Sequence, residues 1–193
     1  PQPFPTKQEE PFKIIWFGSN LNFEYLLNQL PSLLQVRIRD LKIELTVLGA
    51  PLAANRMKEF CERNREKIKW NIRIIVWDPR DQPNQLESEL DRAHICLIPS
   101  NPKDPAKTGV SPNRLVDALR GGCVTVASPM KSYREFNEIS LQEGKIRDLL
   151  MEAIRNYNDY SKKLTTNRES LLSKFDPELN ANSWHLIWKS IQG

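Results

Sequence analysis

Long apolar runs and cysteines are both scarce in this sequence, and each shortage excludes a class of protein. No stretch approaches the roughly 18 apolar residues of a membrane-spanning helix, and none resembles a signal peptide, so we expect no transmembrane segment. The three cysteines, Cys61, Cys96 and Cys123, are odd in number and widely spaced. Their spacing supports neither a disulfide framework nor a zinc site, and it favours a reducing compartment such as the cytoplasm.

The motifs of several common enzyme classes are also missing. No Gly-x-Gly-x-x-Gly follows the first apolar run, so a standard dinucleotide site is not expected, and the Lys and Ser/Thr of a phosphate-binding P-loop are absent. No serine has the surroundings of a nucleophile elbow, and Cys96 lies too deep inside an apolar run to act as a nucleophile. His94 and His185 are far apart without the neighbours of a metal ligand, so no metal is expected.

The composition is that of an ordinary soluble domain with a mild basic excess. Hydrophobic residues make up 39% and charged residues 27% of the 193 residues, which suits one domain with a sizeable core. The net charge is +4, but basic and acidic residues are interspersed, which argues against a nucleic-acid partner and suits a small anionic ligand. The first residue is Pro1 rather than Met, so we expect a piece of a longer protein.

Five short apolar runs, mostly of β-branched and aromatic residues, predict strands. They cover residues 13–17, 43–48, 72–77, 94–99 and 123–127. Helical patterns lie between and after them, at residues 23–34, 53–68, 85–93 and 112–120. This alternation predicts an α/β fold, a doubly wound Rossmann-like parallel sheet of about five to six strands with C-terminal helices.

The two ends of the chain have a different pattern. Residues 1–11 are rich in proline and polar side chains, and they predict an extended arm or linker outside the core. After Tyr133 the pattern predicts helices alone, a long one over residues 146–164 and a closing one over residues 180–191.

One edge of the predicted sheet has the features of a ligand site. Ligands of doubly wound sheets bind beyond the carboxyl ends of the strands where the strand order reverses, which for the order 3-2-1-4-5 lies between strands one and four. Strand one ends in a small, polar turn at residues 18–20, and strand four opens into the longest turn-rich connection, residues 100–110. We therefore expect the site between these two segments.

The helix after that connection is predicted to begin at Ser111 and Pro112. Serine at the N-cap and proline at the first helical position favour a helix start, and the glycine pair at residues 121–122 favours its end. The free amides of the first turn, with Lys107 and Arg114, suit an anion. The alternative is a plain capped helix with two solvated cations.

Asp117 lies one turn after Arg114 on the same predicted helix. An ion pair between the two, worth about 0.2–0.5 kcal/mol, is the simpler interpretation and the one that the spacing alone favours. The alternative is a carboxylate that accepts hydrogen bonds from the hydroxyls of a sugar, as the acidic residue of dinucleotide folds does.

Residues 90–136 resemble the signature region of glycosyltransferases with the GT-B fold, in particular the group 1 type that uses nucleotide sugars. The motifs that carry the resemblance are Ile98-Pro99-Ser100, Asp117-Ala118-Leu119-Arg120-Gly121-Gly122, Val126-Ala127-Ser128, Tyr133-Arg134-Glu135-Phe136 and Ser111-Pro112-Asn113-Arg114. Over the rest of residues 12–193 the similarity is weak, although the predicted closing helix is similar to the last helix of that fold. The resemblance implies the nucleotide-sugar-binding C-terminal domain of a hexosyltransferase, such as acts in polysaccharide biosynthesis.

The resemblance also implies which residues bind the donor. It implies that Gly18 and Ser19 lie near the diphosphate and donor sugar, and that Trp77 and Asp78 lie near the base. It also implies that Asp117 holds the ribose. Backbone amides for the phosphates would come from Thr108, Gly109, Val110 and Ser111. The nucleoside diphosphate sugar is the donor substrate, and no further cofactor is implied.

The sequence departs from the family pattern at positions that handle the donor. Gly109 stands where members carry a Glu that contacts the sugar, and residues 21–24 lack the cations that usually follow the strand-one glycine. Lys107 and Arg114 would replace those cations in part. In this family the acceptor and the catalytic base belong largely to an N-terminal domain, which this chain does not contain.

Two functions therefore stay open. The first is the donor-binding domain of a glycosyltransferase, an enzyme only together with its other domain, in which helix amides, Lys107 and Arg114 stabilise the leaving diphosphate. The second is a non-catalytic relative that serves as an interaction or scaffold module, as the missing Glu and cations indicate. An unrelated α/β nucleotide binder is a weaker third interpretation, because no motif supports it.

Overall fold

A computed structural model describes residues 1–3, 10–38, 41–78, 80–107 and 109–175. The strands of these residues are β1 (Phe12–Gly18), β2 (Ile43–Gly49), β3 (Asn71–Val76), β4 (Ile95–Ile98), β5 (Val124–Ala127) and β6 (Ser140–Leu141). The α-helices are α1 (Asn20–Leu33), α2 (Pro51–Arg63), α3 (Gln82–Asp91), α4 (Asn113–Arg120), α5 (Ile146–Arg155) and α6 (Tyr157–Leu172). Short 3₁₀ turns occur at Pro105–Lys107, Lys131–Phe136 and Ser173–Phe175.

The strands form one sheet in the order β3-β2-β1-β4-β5-β6, and every neighbouring pair is parallel. The predicted doubly wound topology is therefore confirmed, with the reversal of strand order between β1 and β4. The expectation that only helices follow Tyr133 was wrong, because β6 pairs with Thr125 and Val126 of β5. β6 is too short to produce an apolar run in the sequence.

Most helices lie near their predicted positions, but two limits need correction. α2 ends at Arg63 rather than at residue 68, and the single helix predicted over residues 146–164 is interrupted at Asn156. Asn156 has φ −109° and ψ 26°, outside the α-helical region, so α5 ends before it and α6 begins after it. The closing helix predicted over residues 180–191 lies outside the described residues. Within the described ranges, no helix combines the length and the hydropathy needed to cross a membrane.

The side chains of β1 alternate between two apolar clusters, one on each face of the sheet. Phe12, Ile14 and Trp16 belong to the cluster with α1, α2 and α5, whereas Ile15 and Phe17 belong to the cluster with α4 and α6. Successive residues of a strand point to opposite faces, so a strand covered on both faces is apolar throughout. Burial on both faces thus explains why the strand sequences are nearly continuous apolar runs.

The three cysteines are packing residues, and the burial of Cys96 agrees with its predicted position inside an apolar run. Cys96 and Cys123 are buried in the second cluster, Cys61 packs at the edge of the first, and the three form no disulfide. Burial raises the pKa of the Cys96 thiol to about 12, which keeps the thiol protonated and unreactive at neutral pH.

Residues 1–3 are attached to the amino-terminal edge of the sheet, although the sequence predicted an arm outside the core. The side-chain amide of Gln2 donates to the Asp91 carbonyl oxygen at 2.6 Å. The Gln2 carbonyl oxygen accepts from the Tyr157 hydroxyl at 2.8 Å. These contacts could not be read from composition, because they depend on where α3 and α6 end up in the fold.

His94 is a structural residue, and it connects β1 to residues 1–3. Its Nδ1 accepts the backbone N–H of Lys13 at 2.9 Å, so the ring proton lies on Nε2, which donates to the Pro3 carbonyl oxygen at 2.9 Å. The ring stacks on Phe12 with 4.5 Å between the ring centres. Burial lowers the pKa of His94, so the imidazole is neutral in the folded protein at neutral pH.

Candidate functional site

The carboxyl ends of β1 and β4 lie side by side where the strand order reverses. β1 pairs with β4 at Ile14–Ile95 and Ile15–Cys96. β1 continues through Ser19 into α1, and β4 continues through residues 99–112 into α4. The two segments that the sequence predicted to form a site are therefore neighbours in the fold.

Arg114 extends from the first turn of α4 onto the end of β1. Its Nη2 donates a hydrogen bond to the Phe17 carbonyl oxygen. The guanidinium carbon lies 5.6 Å from the ring centre of Trp16 and 5.4 Å from that of Phe17, within the range of cation–π attraction. Burial lowers the pKa of Arg114, but a guanidinium remains charged at neutral pH. A permanent positive charge is thus held at the carboxyl edge of the sheet.

Because Gly18 has no side chain, the guanidinium of Arg114 has space beside it. The φ of Gly18 is +156°, which disfavours a side chain, and a Cβ at this position would lie 3.4 Å from Arg114 Cζ and 3.3 Å from Trp16 Cζ2. Among the described residues, the Phe17 carbonyl is the only hydrogen-bond acceptor of the guanidinium, and the buried Nε has none. Arg114 therefore retains donor capacity that the protein itself does not use.

Lys107 joins the β4–α4 connection to the first turns of α1. Its Nζ donates to the Asn22 side-chain oxygen at 2.8 Å and lies 5.2 Å from the ring centre of Tyr25. The Tyr25 hydroxyl donates to Asp104, and this hydrogen bond lowers the pKa of the Asp104 carboxyl. Sequence reasoning missed Asn22, Tyr25 and Asp104, because side chains that meet across 79 residues leave no local pattern.

α4 begins one residue later than predicted. Its first residue is Asn113 and its N-cap is Pro112, so Ser111 is not the N-cap, and no side chain of the described residues caps the helix. The Pro112 carbonyl oxygen accepts the Val116 N–H at 2.9 Å, which is the first bond of the helix. The amides of the first turn are therefore uncapped, and the positive end of the helix dipole lies beside Arg114.

α4 ends as predicted, at its glycine pair. The Cys123 N–H bonds to the Ala118 carbonyl oxygen at 3.0 Å and the Gly122 N–H to that of Leu119 at 3.1 Å, the pattern of a Schellman motif. Gly122 has φ +78°, in the left-handed region that glycine adopts readily.

Asp117 does not pair with Arg114, although the spacing favoured an ion pair. Within the described residues, the Asp117 carboxyl has no ion pair or hydrogen bond, because Arg114 turns to the Phe17 carbonyl and two aromatic rings instead. Burial raises the pKa of Asp117, and the charge of Arg120 opposes this shift. A half-buried carboxyl without a partner is typical of a group that meets a ligand.

The segment before α4 exposes its backbone. Gly109 has φ +76°, and a Cβ there would meet nothing within 4 Å. Ser111 is exposed, Val110 packs on the second apolar cluster, and Ser19 is exposed at the start of α1. Thr108, which was predicted to offer its amide, lies outside the described residues. The backbone angle rather than crowding therefore favours glycine at position 109, since the space around it is open.

Trp77 and Asp78 follow β3, two strands away from β1. The Trp77 ring lies 6.5 Å from that of Phe17, and its indole N–H is buried with no partner in the part of the chain described. The Asp78 carboxylate accepts the Arg80 N–H at 2.9 Å in the turn before α3. The fold thus brings Trp77 to the border of the site, while Asp78 takes part in the neighbouring turn.

A groove of about 630 Å³ opens between α1, the ends of β4 and β5, and the start of α5. Its walls include Pro102, Ser128, Lys145 and Arg147. The Ser128 hydroxyl accepts the Ser100 N–H at 2.8 Å and donates to the Ser100 carbonyl oxygen at 2.9 Å, which holds the start of the β4–α4 connection. The groove is of small-molecule size, but none of the described residues predicted to bind the donor lines it.

Known protein structures share this architecture, although no family model and no curated protein sequence matches the chain. HepE of Anabaena, solved with UDP and glucose, is similar over 95% of this chain and 49% of its own length, with TM-score 0.70 and 10% identity. A glycosyltransferase of Rickettsia africae is similar over 95% of this chain and 48% of its own, with TM-score 0.66 and 15% identity. The fold is that of a GT-B glycosyltransferase domain.

The catalytic domain of the Helicobacter pylori cholesterol-α-glucosyltransferase has the same GT-B domain fold. It matches 84% of this chain and 99% of its own, with TM-score 0.54 and 18% identity. The fold implied by the sequence resemblance is thus confirmed. The chain spans about half the length of HepE and of the Rickettsia glycosyltransferase.

Proposed function

We propose that this chain is the donor-binding domain of a glycosyltransferase and binds a nucleoside diphosphate sugar at the carboxyl ends of β1 and β4. The observation that carries the proposal is the position of Arg114, whose charge is held against Gly18 and the Phe17 carbonyl beside the uncapped start of α4. The fold likeness to HepE, which was solved with UDP and glucose, supports the same assignment.

Three positive groups would hold the diphosphate. They are the first-turn amides of α4, the guanidinium of Arg114 at the end of β1, and the ammonium of Lys107, which donates to Asn22 of α1. Fixed positive groups aimed at a leaving diphosphate stabilise the charge that develops as the glycosidic bond breaks. Lys107 and Arg114 take the role of the cations missing from the start of α1.

The remaining predicted residues would position the rest of the donor. The unpartnered carboxyl of Asp117 suits the ribose hydroxyls, and the half-buried ring of Trp77 would pack on the base. The exposed backbone next to Gly18 and Gly109 suits the phosphates and the sugar. Ser19, Asp78, Thr108, Val110 and Ser111 remain proposed contacts of the same donor.

A second domain would complete the enzyme. Three large apolar side chains are exposed among the described residues, Leu21 at 78%, Leu52 at 55% and Val76 at 44%. Gly18 pairs with Gly49, and Gly49 pairs with Val76, at the carboxyl ends of β1, β2 and β3. Leu21 lies three residues after Gly18, and Leu52 lies three residues after Gly49. All three apolar side chains therefore lie on the edge that carries the site. An apolar edge beside a polar site is typical of a surface that another domain covers. The acceptor and the catalytic base would come from that domain.

The alternative is a non-catalytic module, and Gly109 favours it. An open position without the expected carboxylate leaves the sugar without one usual contact. In the same loop, Lys107 is already engaged by Asn22 and Tyr25. A module of this kind would keep the fold and bind no nucleotide.

Thermal shift of the chain with UDP, GDP, ADP and their sugar conjugates separates the two functions. A bound ligand at about 100 times its dissociation constant adds about 2.7 kcal/mol of stability, so donor binding raises the melting temperature clearly. Arg114→Ala is expected to weaken binding at least tenfold, whereas Lys103→Ala, which removes an exposed cation of the same loop, leaves binding unchanged. No shift with any nucleotide would favour the non-catalytic module, and equal binding by Arg114→Ala would show that the site is elsewhere.

A further inference from the structure

Two grooves, one mainly apolar and one with mixed apolar and polar walls, lie at the end of the molecule opposite the candidate site and meet at Ile68. The first, about 450 Å³, separates the C-terminal ends of α1 and α2, and its walls include Pro31, Leu34, Arg37, Phe60 and Lys67. The second, about 570 Å³, separates α2 from the edge strand β3, and its walls include Cys61, Arg65, Trp70, Ile72 and Ile74. Because α1 and α2 start at the carboxyl ends of their strands, their last turns lie at the other end of the sheet. We call the pair the basal grooves.

The basal grooves are concave, so apolar side chains of another molecule can enter them, whereas their own apolar side chains do not protrude. Phe60, Ile68 and Ile72 are each half-buried and pack on the first apolar cluster. The large apolar side chains that protrude from the described surface are Leu21, Leu52 and Val76, at the far end of the sheet. A membrane is bound by protruding apolar side chains, whereas a groove fits apolar side chains of a partner.

Basic side chains outnumber acidic ones in the lining of the basal grooves, which includes Arg37, Lys58, Arg65 and Lys67 against Glu62. Residues 51–70 contain six Lys and Arg and three Glu, a net charge of +3, where the whole chain has +4. Arg56 and Arg63 pair with Glu24 and Glu59. Within the described residues Arg65 and Lys67 are exposed and form no ion pair. The rim therefore offers unpaired positive charge next to apolar walls.

We propose that the basal grooves bind an acidic amphipathic helix of a protein partner. Apolar side chains on one face of that helix would fill the grooves around Ile68, and its carboxylates would meet Arg65, Lys67 and Arg37 on the rim. The concave shape of the grooves favours a protein segment over a lipid surface. The positive charge on their rim favours an acidic helix over a basic one. The surface is separate from the nucleotide site, so the proposal does not depend on donor binding.

A matched pair of peptides tests this surface. The first is a 20-residue helix with Leu at the i, i+3, i+4 and i+7 positions of one face and Glu and Gln on the other, and the second replaces each Glu by Lys. With the isotope-labelled chain, the Glu peptide is expected to shift the amide resonances around Ile68 and Trp70 and to bind at least tenfold more tightly than the Lys peptide. Binding is expected to weaken as salt is raised, because the rim charges are exposed.

Charge reversal on the rim provides the control. Arg65→Glu with Lys67→Glu is expected to reverse the preference between the two peptides, whereas Lys162→Glu with Lys163→Glu, the same charge change on α6, leaves it intact. An unchanged amide spectrum outside the grooves shows that both variants are folded. Equal binding of both peptides, no binding at millimolar concentration, or resonance shifts elsewhere would overturn the proposal. Binding to anionic phospholipid vesicles, or self-association, that is lost with Arg65→Glu and Lys67→Glu would also overturn it, in favour of a membrane or a second copy.

Discussion

At the scale of single residues, the contact between Gly18 and Arg114 organises the candidate site. A guanidinium that is partly buried needs a hydrogen-bond acceptor and flat surfaces, and here the Phe17 carbonyl and the rings of Trp16 and Phe17 provide them. The missing side chain of Gly18 lets Arg114 approach β1. Gly18 and Arg114, which come from different halves of the fold, thus set where the positive charge of the site lies.

Gly18→Ala is expected to destabilise the protein by about 2–4 kcal/mol, because it adds backbone strain at φ +156° and crowds Trp16 and Arg114. Urea unfolding measures the change. Gly109→Ala is the matched control, since it adds only the strain of a left-handed residue, about 1–2 kcal/mol, in open space. In an Arg114→Ala background the cost of Gly18→Ala is expected to fall; equal costs in both backgrounds would show that the two residues are not coupled.

At the scale of elements, α4 has two unequal ends. Its C-terminus is closed by the Schellman bonds of Gly122 and Cys123, whereas its N-terminus has no side-chain cap from the part of the chain described. An uncapped helix start is tolerated where water or a ligand satisfies the free amides. The closed end fixes the helix against β5, so that the open end and Arg114 are held at the carboxyl edge of the sheet.

Gly122→Ala is expected to destabilise the protein by about 1–2 kcal/mol, because φ +78° is unfavourable for an L-residue with a side chain. Thermal or urea unfolding gives the value. Gly122→Asn serves as the comparison, since asparagine tolerates this region better and is expected to lose less stability. If the two variants lose equal stability, the close approach of Pro1 to this position, rather than the backbone angle, limits substitution.

At the scale of the whole molecule, the carboxyl and amino ends of the parallel strands, the two edges named here, have different roles. The carboxyl edge carries the candidate site, and the amino edge carries the anchor of residues 1–3 at His94. Side chains of β1 belong to both apolar clusters, one on each face of the sheet. At the amino edge, a neutral imidazole thus connects residues 1–3 to β1.

Stability is expected to fall as the pH is lowered through the range in which His94 becomes protonated. Burial holds the pKa of His94 below its ordinary value of about 6.5, so below that pH the unfolded chain binds a proton that the folded chain does not. The folded state loses stability from about pH 6.5 down to the lowered pKa, and the loss then levels off. Urea unfolding at a series of pH values measures it.

His94→Gln is the control for that measurement, because glutamine keeps a donor and an acceptor but does not titrate. The difference in unfolding free energy between the wild type and this variant is expected to change with pH in the same range. A difference that is independent of pH would show that other groups cause the acid sensitivity.

Local patterns in the sequence were sufficient for the α/β class, five of the six described strands and the edge of the sheet that carries the candidate site. Apolar runs, helical spacing and turn residues depend on contacts between close neighbours in the chain, and burial on both faces makes the strand runs conspicuous. The glycine pair that ends α4 was predicted for the same reason, since helix termination depends on a few adjacent residues. β6 was missed because only two of its residues pair.

Only the tertiary structure decided which partners the polar side chains take. Arg114 was expected to pair with Asp117 one turn away, but it bonds to Phe17 across 97 residues, and Lys107 bonds to Asn22 across 85. A partly buried charge binds the group that gives it a hydrogen bond and favourable surroundings, wherever the fold places that group. Sequence spacing describes only the neighbours along one helix, whereas the site is assembled by the packing of α1 and α4 against the ends of β1 and β4.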